Sequence, residues 1–306
     1  MTRVLQSPRP DSPSRWSLTA AGPGIVFLLS SIGPSDLVSN TAAGANFGYS
    51  LLWTLLVIAA ARFIILEASA RYVIATGESV LEGYRHAAPW SSWVFFGAIA
   101  LRRHFSNLYH LLLLGLAPGF LFGLDSPLAR GAFSLLSAAA AFAVMYFGGY
   151  KTVERHSKPL AFLLGLAVFL TMLWARPAPT HVLTGLLHPS LPEPASGGLS
   201  FAIVLLMLVG TGVGSLSNLK YSAFTFEKGW RDPSFLSRQR TDLLLSLLGA
   251  FLIAAMLQIA AGAVLRPEGF TLNKAEDLLP LFTSALGNSG RVLMAIGLWT
   301  TVFTTF

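Results

Sequence analysis

Ile32-Gly33-Pro34-Ser35-Asp36-Leu37 sets a helix breaker and a carboxylate in the middle of the first long apolar run of the chain, Gly24 to Gly44. A Gly-Pro pair releases backbone carbonyls from the helical ladder. Hydrocarbon tolerates released carbonyls and an ionisable Asp only where protein buries them or a polar cavity takes them in. The stretch reads as a helix broken at mid-membrane around a site; the plainer alternative is a kinked helix with a solvated Asp. A second interrupted run, Val209-Gly210-Thr211-Gly212-Val213-Gly214-Ser215-Leu216-Ser217-Asn218, favours the first reading. Each of its glycines costs an unsupported helix roughly 1 kcal/mol relative to Ala. Either the backbone unwinds there or a neighbouring helix packs very close. Both runs put small residues at mid-span, and Ser39-Asn40 in one answers Ser217-Asn218 in the other. They lie five spans apart, as the first helices of two five-helix repeats would.

Composition fixes the class. Of 306 residues, 54% are hydrophobic and 11% charged, with a mean hydropathy of +0.63. Soluble domains carry roughly 25% charged residues, so this chain is solvated by lipid. With no cysteine, disulfides and thiolate metal sites are excluded, leaving oxygen, imidazole and thioether ligands. A net charge of +7 and a pI near 10.0 are compatible with nucleic acid, but the basic residues sit between apolar spans and not on one face. They act as topology signals, and no nucleic-acid partner is expected.

Eight candidate spans follow from a window of about 20 residues: near Gly24–Ala45, Leu51–Ala75, Ser91–Leu113 (alternatively Phe105–Gly123), Ala132–Gly149, Pro159–Ala175, Leu199–Phe224, Leu243–Leu265 and Arg291–Phe306. Residues 1–20, rich in Pro and Ser, read as a disordered tail, and residues 21–306 as one transmembrane domain. No cleavable signal peptide is evident. With the N-terminus inside, twelve Lys and Arg fall on the inner side, Arg71, Lys151 and Arg240 among them, against five outside, Arg130, Arg176, Arg266, Lys274 and Arg291. The positive-inside rule then makes the N-terminus cytoplasmic, the Pro-rich Arg176–Gly198 external and the charged Glu227–Asp242 cytoplasmic. The expected location is the plasma membrane, the inner one in a bacterium.

The chain resembles the NRAMP divalent metal transporters. The resemblance runs through Gly22-Pro23-Gly24, the Gly33–Asp36 element, Ala43-Gly44-Ala45-Asn46-Phe47-Gly48-Tyr49 with Leu51-Leu52-Trp53, and Ala70-Arg71-Tyr72-Val73-Ile74-Ala75-Thr76-Gly77; it resumes at Gly210–Ser222 and Thr241-Asp242. It implies an all-α polytopic membrane protein of leucine-transporter-like inverted-repeat fold, with first and sixth helices broken around the substrate. The departures bear on the ligand. Where the family has Asp-Pro-Gly-Asn, Gly33 replaces the metal-binding Asp and Asp36 stands at the Asn. The family's Met-Pro-His falls on Gly214-Ser215-Leu216, so thioether and imidazole are both gone. What remains suits harder ions or a larger organic substrate.

The expected binding residues are therefore Asp36, Gly33, Ser35, Thr211, Gly212, Gly214, Ser217 and Asn218, with Ser215 as a further polar neighbour. Any Ser or Thr among them alternatively bonds its own helix backbone. Candidate proton or pathway residues are Glu67, Arg102, Arg103, His104 and His110. Glu67 has a plainer role as an i,i+4 partner of Arg71. Arg102-Arg103-His104 line a pathway if the third helix begins near Ser91, and are cytoplasmic topology residues if it begins near Phe105. His110 is either a satisfied interior histidine or a proton acceptor.

The chain stops at Thr304-Thr305-Phe306 inside an apolar run, two helices short of a five-plus-five fold, so the second repeat is expected to be incomplete at the C-terminus. The expected function is a secondary transporter, ion- or proton-coupled, moving a divalent metal cation with altered selectivity and needing no cofactor. The alternative is an ion-coupled symporter of a small amino-acid-like solute. An enzyme is disfavoured, because HExxH, a Gly-x-Ser-x-Gly elbow and close histidine pairs are all missing from the sequence.

Overall fold

In a computed structural model, the structure describes Gly24 and residues 33–124, 126–143, 146–147 and 165–305. Among these residues the regular elements are helices: α1 Pro34–Phe47, α2 Leu52–Thr76, α3 Val80–Ala87, α4 Ser91–Leu114, α5 Ala117–Phe122, α6 Pro127–Ala143, α7 Gly165–Ala175, α8 Pro179–Leu187, α9 Phe201–Thr211, α10 Leu219–Glu227, α11 Leu236–Val264 and α12 Leu279–Thr305. Four stretches are long and apolar enough to cross a membrane, namely Leu52–Thr76, Ser91–Phe122, Phe201–Glu227 and Pro233–Val264. Their outer faces carry exposed Ile64, Leu112, Leu206 and Leu245, the inverse of a soluble helix and the pattern that a lipid solvent demands.

Several boundaries differ from expectation for identifiable reasons. The third span does begin at Ser91, as first expected, and not at the alternative Phe105, because nothing from Trp93 to Leu114 breaks its ladder; Arg102 and Arg103 ride within it. The seventh starts at Leu236, seven residues ahead of Leu243, since Asp232 accepts from the Ser234 N–H (2.9 Å) and caps the 3-10 turn that leads in. Arg176–Gly198 is not all loop. Pro179 occupies the first turn of α8, where its missing N–H costs nothing. The last span starts at Leu279 and kinks at Gly287, whose φ of 56° is a left-handed value that other residues avoid. Most of the expected first-span N-terminal half, the second half of the fourth span and the start of the fifth fall outside the described residues, as does the tail.

α1 is the buried centre. Pro34 at its start fixes φ and lacks an N–H that would go unused there, and every residue from Ser39 to Phe47 is buried. It packs against α11 through small residues on both sides, Ala42, Gly44 and Ala45 facing Ala260, Ala261 and Gly262. A side chain at Gly44 would run into the Gln258 carbonyl and come within 2.7 Å of Ala261 Cβ. Backbones this close are how helices gain van der Waals contact when lipid supplies no hydrophobic drive. A second cluster, Phe47, Leu52, Leu55, Val204 and Leu208, ties α1 and α2 to α9; a third, Leu66, Ala70, Tyr221 and Leu243, ties α2 and α10 to α11. Between them lies the site.

The close approach predicts the effect of a methyl group. Gly44→Ala should destabilise the fold by about 1–3 kcal/mol through overpacking. Gly97→Ala, on a lipid-facing stretch of α4 with nothing within 4 Å of the added carbon, should be neutral or gain up to about 1 kcal/mol of helix propensity. Thermal midpoints of the two variants in detergent will check the contrast.

Candidate functional site

Gly33 is extended (φ −117°, ψ 175°), and its N–H donates to Asp36 Oδ2 at 3.0 Å. Asp36 thus stands at the third position of α1 as an acidic cap on the positive end of the helix dipole. One turn on, Asn40 donates from Nδ2 to the Asp36 carbonyl at 2.8 Å, while its own Oδ1 is buried without a partner among the described residues.

The second interruption closes over this helix start. α9 ends at Thr211, and Gly212 leaves helical geometry (φ −79°, ψ −90°); a turn and the 3-10 segment Leu216–Asn218 follow before α10 begins. Both sequence explanations for the glycines hold, and both at Gly212. The backbone unwinds from Gly212, and Gly212 also packs so close to Ile58 that a Cβ would collide with Ile58 Cγ2. Asn218 repairs the opening: its Nδ2 donates to the carbonyls of Gly212 and Val213, both at 3.0 Å. Its Oδ1 in turn accepts from Arg62 Nε (3.3 Å) and Nη2 (3.2 Å) of α2. Ser39 and Thr211 hydroxyls meet at 3.4 Å, joining α1 to the end of α9.

These elements enclose a cavity of about 60 Å³, above the roughly 10–15 Å³ that one water needs. Its polar lining is Asp36, Asn40, Arg62, Thr211 and Gly212; Leu55, Ile58, Leu208, Leu247 and Phe251 are among its apolar walls. Among the described residues Asp36 is the only carboxylate on that wall, and no group of three His, Asp or Glu could hold a metal ion.

Of the residues expected from sequence, Asp36, Thr211 and Gly212 are brought together. Gly33 sits beside them as the cap donor, and Asn218 sits behind them as the brace. Ser35 is exposed, and Gly214 is outside the cavity lining, its N–H donating to the Val209 carbonyl. Ser215 and Ser217 turn away to Arg102, whose Nη2 reaches their hydroxyls at 3.4 and 3.0 Å from an exposed face of α4. Arg103 and His104 lie on that exposed face as well. His110 is buried, but the expectation of a satisfied ring fails at Nδ1, which has no partner among the described residues. Glu67 does meet Arg71, at 3.8 Å, yet its closer partner is Arg240, which donates from Nε (3.0 Å) and Nη2 (2.9 Å) and clamps α2 to α11. Sequence reasoning missed Asn40 and Arg62 as cavity residues. The only available signals were the Ser39-Asn40 echo and a lone Arg in an apolar run.

An apolar helical chain whose Phe201–Glu227 span opens at mid-length, beside the acidic start of another helix, has a polytopic membrane fold of the leucine-transporter-like class. It superposes on the crystal structure of the Eremococcus coleocola manganese transporter in complex with an aromatic bis-isothiourea substituted compound, with a TM-score of 0.72 at 17% identity over 96% of this chain and 65% of that one. The model of the Nramp family, natural resistance-associated macrophage protein-like, matches residues 24–306, and the chain belongs to that family. Relatives include proteins named divalent metal cation transporter MntH from Aeromonas hydrophila (25% identical over 93% of this chain and 69% of the relative) and Yersinia enterocolitica (26% over 99% and 74%). The chain spans about two thirds of the solved structure it matches, 65% of its length.

Removing the brace tests this geometry. Asn218→Ala removes the donor to the buried Gly212 carbonyl and the part-buried Val213 carbonyl and one acceptor of the Arg62 guanidinium, each loss costing about 1–3 kcal/mol. A lowered thermal midpoint and faster amide exchange confined to residues 209–222 are the expected outcomes, the second read by mass spectrometry.

Proposed function

We propose that this protein is a secondary transporter that carries a divalent metal cation through the cavity at Asp36, with selectivity shifted away from soft transition metals. The observation that carries the reading is the position of Asp36, where the start of α1 meets the unwound Gly212–Asn218 segment. Family membership and the relatives named as divalent metal cation transporters support the cation. The ligand set supports the shift in selectivity: one carboxylate, amide and backbone oxygens and a hydroxyl are hard donors, and neither thioether nor imidazole lines the cavity. Coupling to a proton or another ion, residence in a bacterial inner membrane and a cytoplasmic N-terminus complete the proposal, the last from the distribution of Lys and Arg.

One observation favours a second reading, an ion-coupled symporter of a small amino-acid-like solute. Arg62 lines the cavity together with Asp36 and offers a partner to a solute carboxylate, and most of the other lining residues are apolar. Uptake into liposomes decides between them. The cation reading expects Mg2+ or Mn2+ to enter and Asp36→Asn to abolish entry with expression and helicity intact. Entry of glycine or alanine with no cation entry would replace it by the second reading, and unchanged cation uptake by Asp36→Asn would remove Asp36 from the site.

A further inference from the structure

The cavity holds its own positive charge. Arg62 comes from an otherwise apolar stretch of α2, is 9% exposed, and lines the same small cavity as Asp36. An arginine in the body of a membrane protein is costly unless it is paired and serves the interior. Its Nε and Nη2 both donate to Asn218 Oδ1, so the guanidinium is tied to the unwound segment. Opposite it, Asn40 Oδ1 is a buried acceptor with no partner among the described residues, within reach of any donor or cation that the cavity admits.

Among the described residues the cavity lining carries one carboxylate, Asp36, and one guanidinium, Arg62. A divalent cation entering a low-dielectric space gains attraction from one carboxylate and meets repulsion from one guanidinium, and both act far more strongly than they would in water. We propose that Arg62 is the resident cation of the cavity and its selectivity-determining residue: its charge offsets that of Asp36 when the cavity is empty and opposes the entry of a divalent cation. The inference rests on the reading of Asp36 as the cation site. It also gives the displacement a mechanical result. A guanidinium repelled by an incoming cation shifts its anchor, Asn218, and Asn218 holds the Gly212 and Val213 carbonyls. Cation entry and the conformation of the broken segment are therefore linked through one side chain.

The charge account separates from a merely structural role. MnCl2 and MgCl2 are titrated by calorimetry into the purified full chain, its Arg62→Gln and Arg62→Lys variants and the Asp36→Asn/Arg62→Gln double variant. Arg62→Gln should bind both cations about tenfold or more tighter than the parent. Arg62→Lys keeps the charge without the fork and should stay within about threefold of the parent. The double variant should bind neither cation. Circular dichroism and gel filtration establish that each variant is folded; Arg62→Met, which keeps length without charge, carries the test where Arg62→Gln is not. Affinity unchanged or weakened in Arg62→Gln, or raised equally in Arg62→Lys, overturns the inference while leaving the cation site in place if Asp36→Asn alone abolishes binding. Glycine binding to the parent and lost in Arg62→Gln, with no variant taking either cation, overturns the inference and the cation reading together.

Discussion

A helix opened inside a membrane has carbonyls that no water can satisfy, and in this protein one amide side chain satisfies them. Asn218 donates to two of the carbonyls freed where α9 ends. Without those bonds the unwound Gly212–Asn218 segment would expose polar backbone at a cost of several kcal/mol per group. The cavity, the position of Thr211 and the anchoring of Arg62 all presuppose that the segment stays open. The side chain that stabilises the break is also the one that reaches the charge in the cavity.

The first helix solves a complementary problem. α1 starts at Pro34, and Asp36 caps that start by accepting the Gly33 N–H. A capping carboxylate has a structural reason to be ionised and a fixed direction, both useful to a group that meets a cation. The start is held in place because α1 is locked on α11 by backbone contact at Gly44 and Gly262. At another level, Glu67 and Arg240 join the neighbouring α2 to α11. The cavity is thus built between helices fixed at two levels, with its one irregular wall free of that clamp.

The breaks were legible in the sequence because Gly, Pro and an intramembrane Asp each violate a strong local rule, and rules of that kind act within a few residues. Asp36, Thr211 and Gly212 could be picked for that reason. Arg62 could not, because its role depends on Asn218, 156 positions away. The same limit explains Glu67. Its sequence neighbour Arg71 is a genuine but longer partner, and the closer one, Arg240, comes from a charged stretch that topology rules explain fully by themselves. Pro179 misled in the opposite sense, since a proline between apolar runs signals loop and helix start alike. Gly214 was placed in the site by register with a family motif, and register is what an unwound segment does not keep.

The pairing of one acid with one base at the cavity has an electrical consequence. If the proposed transport holds and the described Asp36 and Arg62 are the charges that reorient, the empty cavity would carry almost no net charge across the membrane and the cavity loaded with a divalent cation about two. Each elementary charge carried across the membrane field is worth about 2.3 kcal/mol per 100 mV. Voltage would then act on the loaded step alone, driving cations toward the negative side while leaving the return of the empty carrier indifferent to the membrane potential.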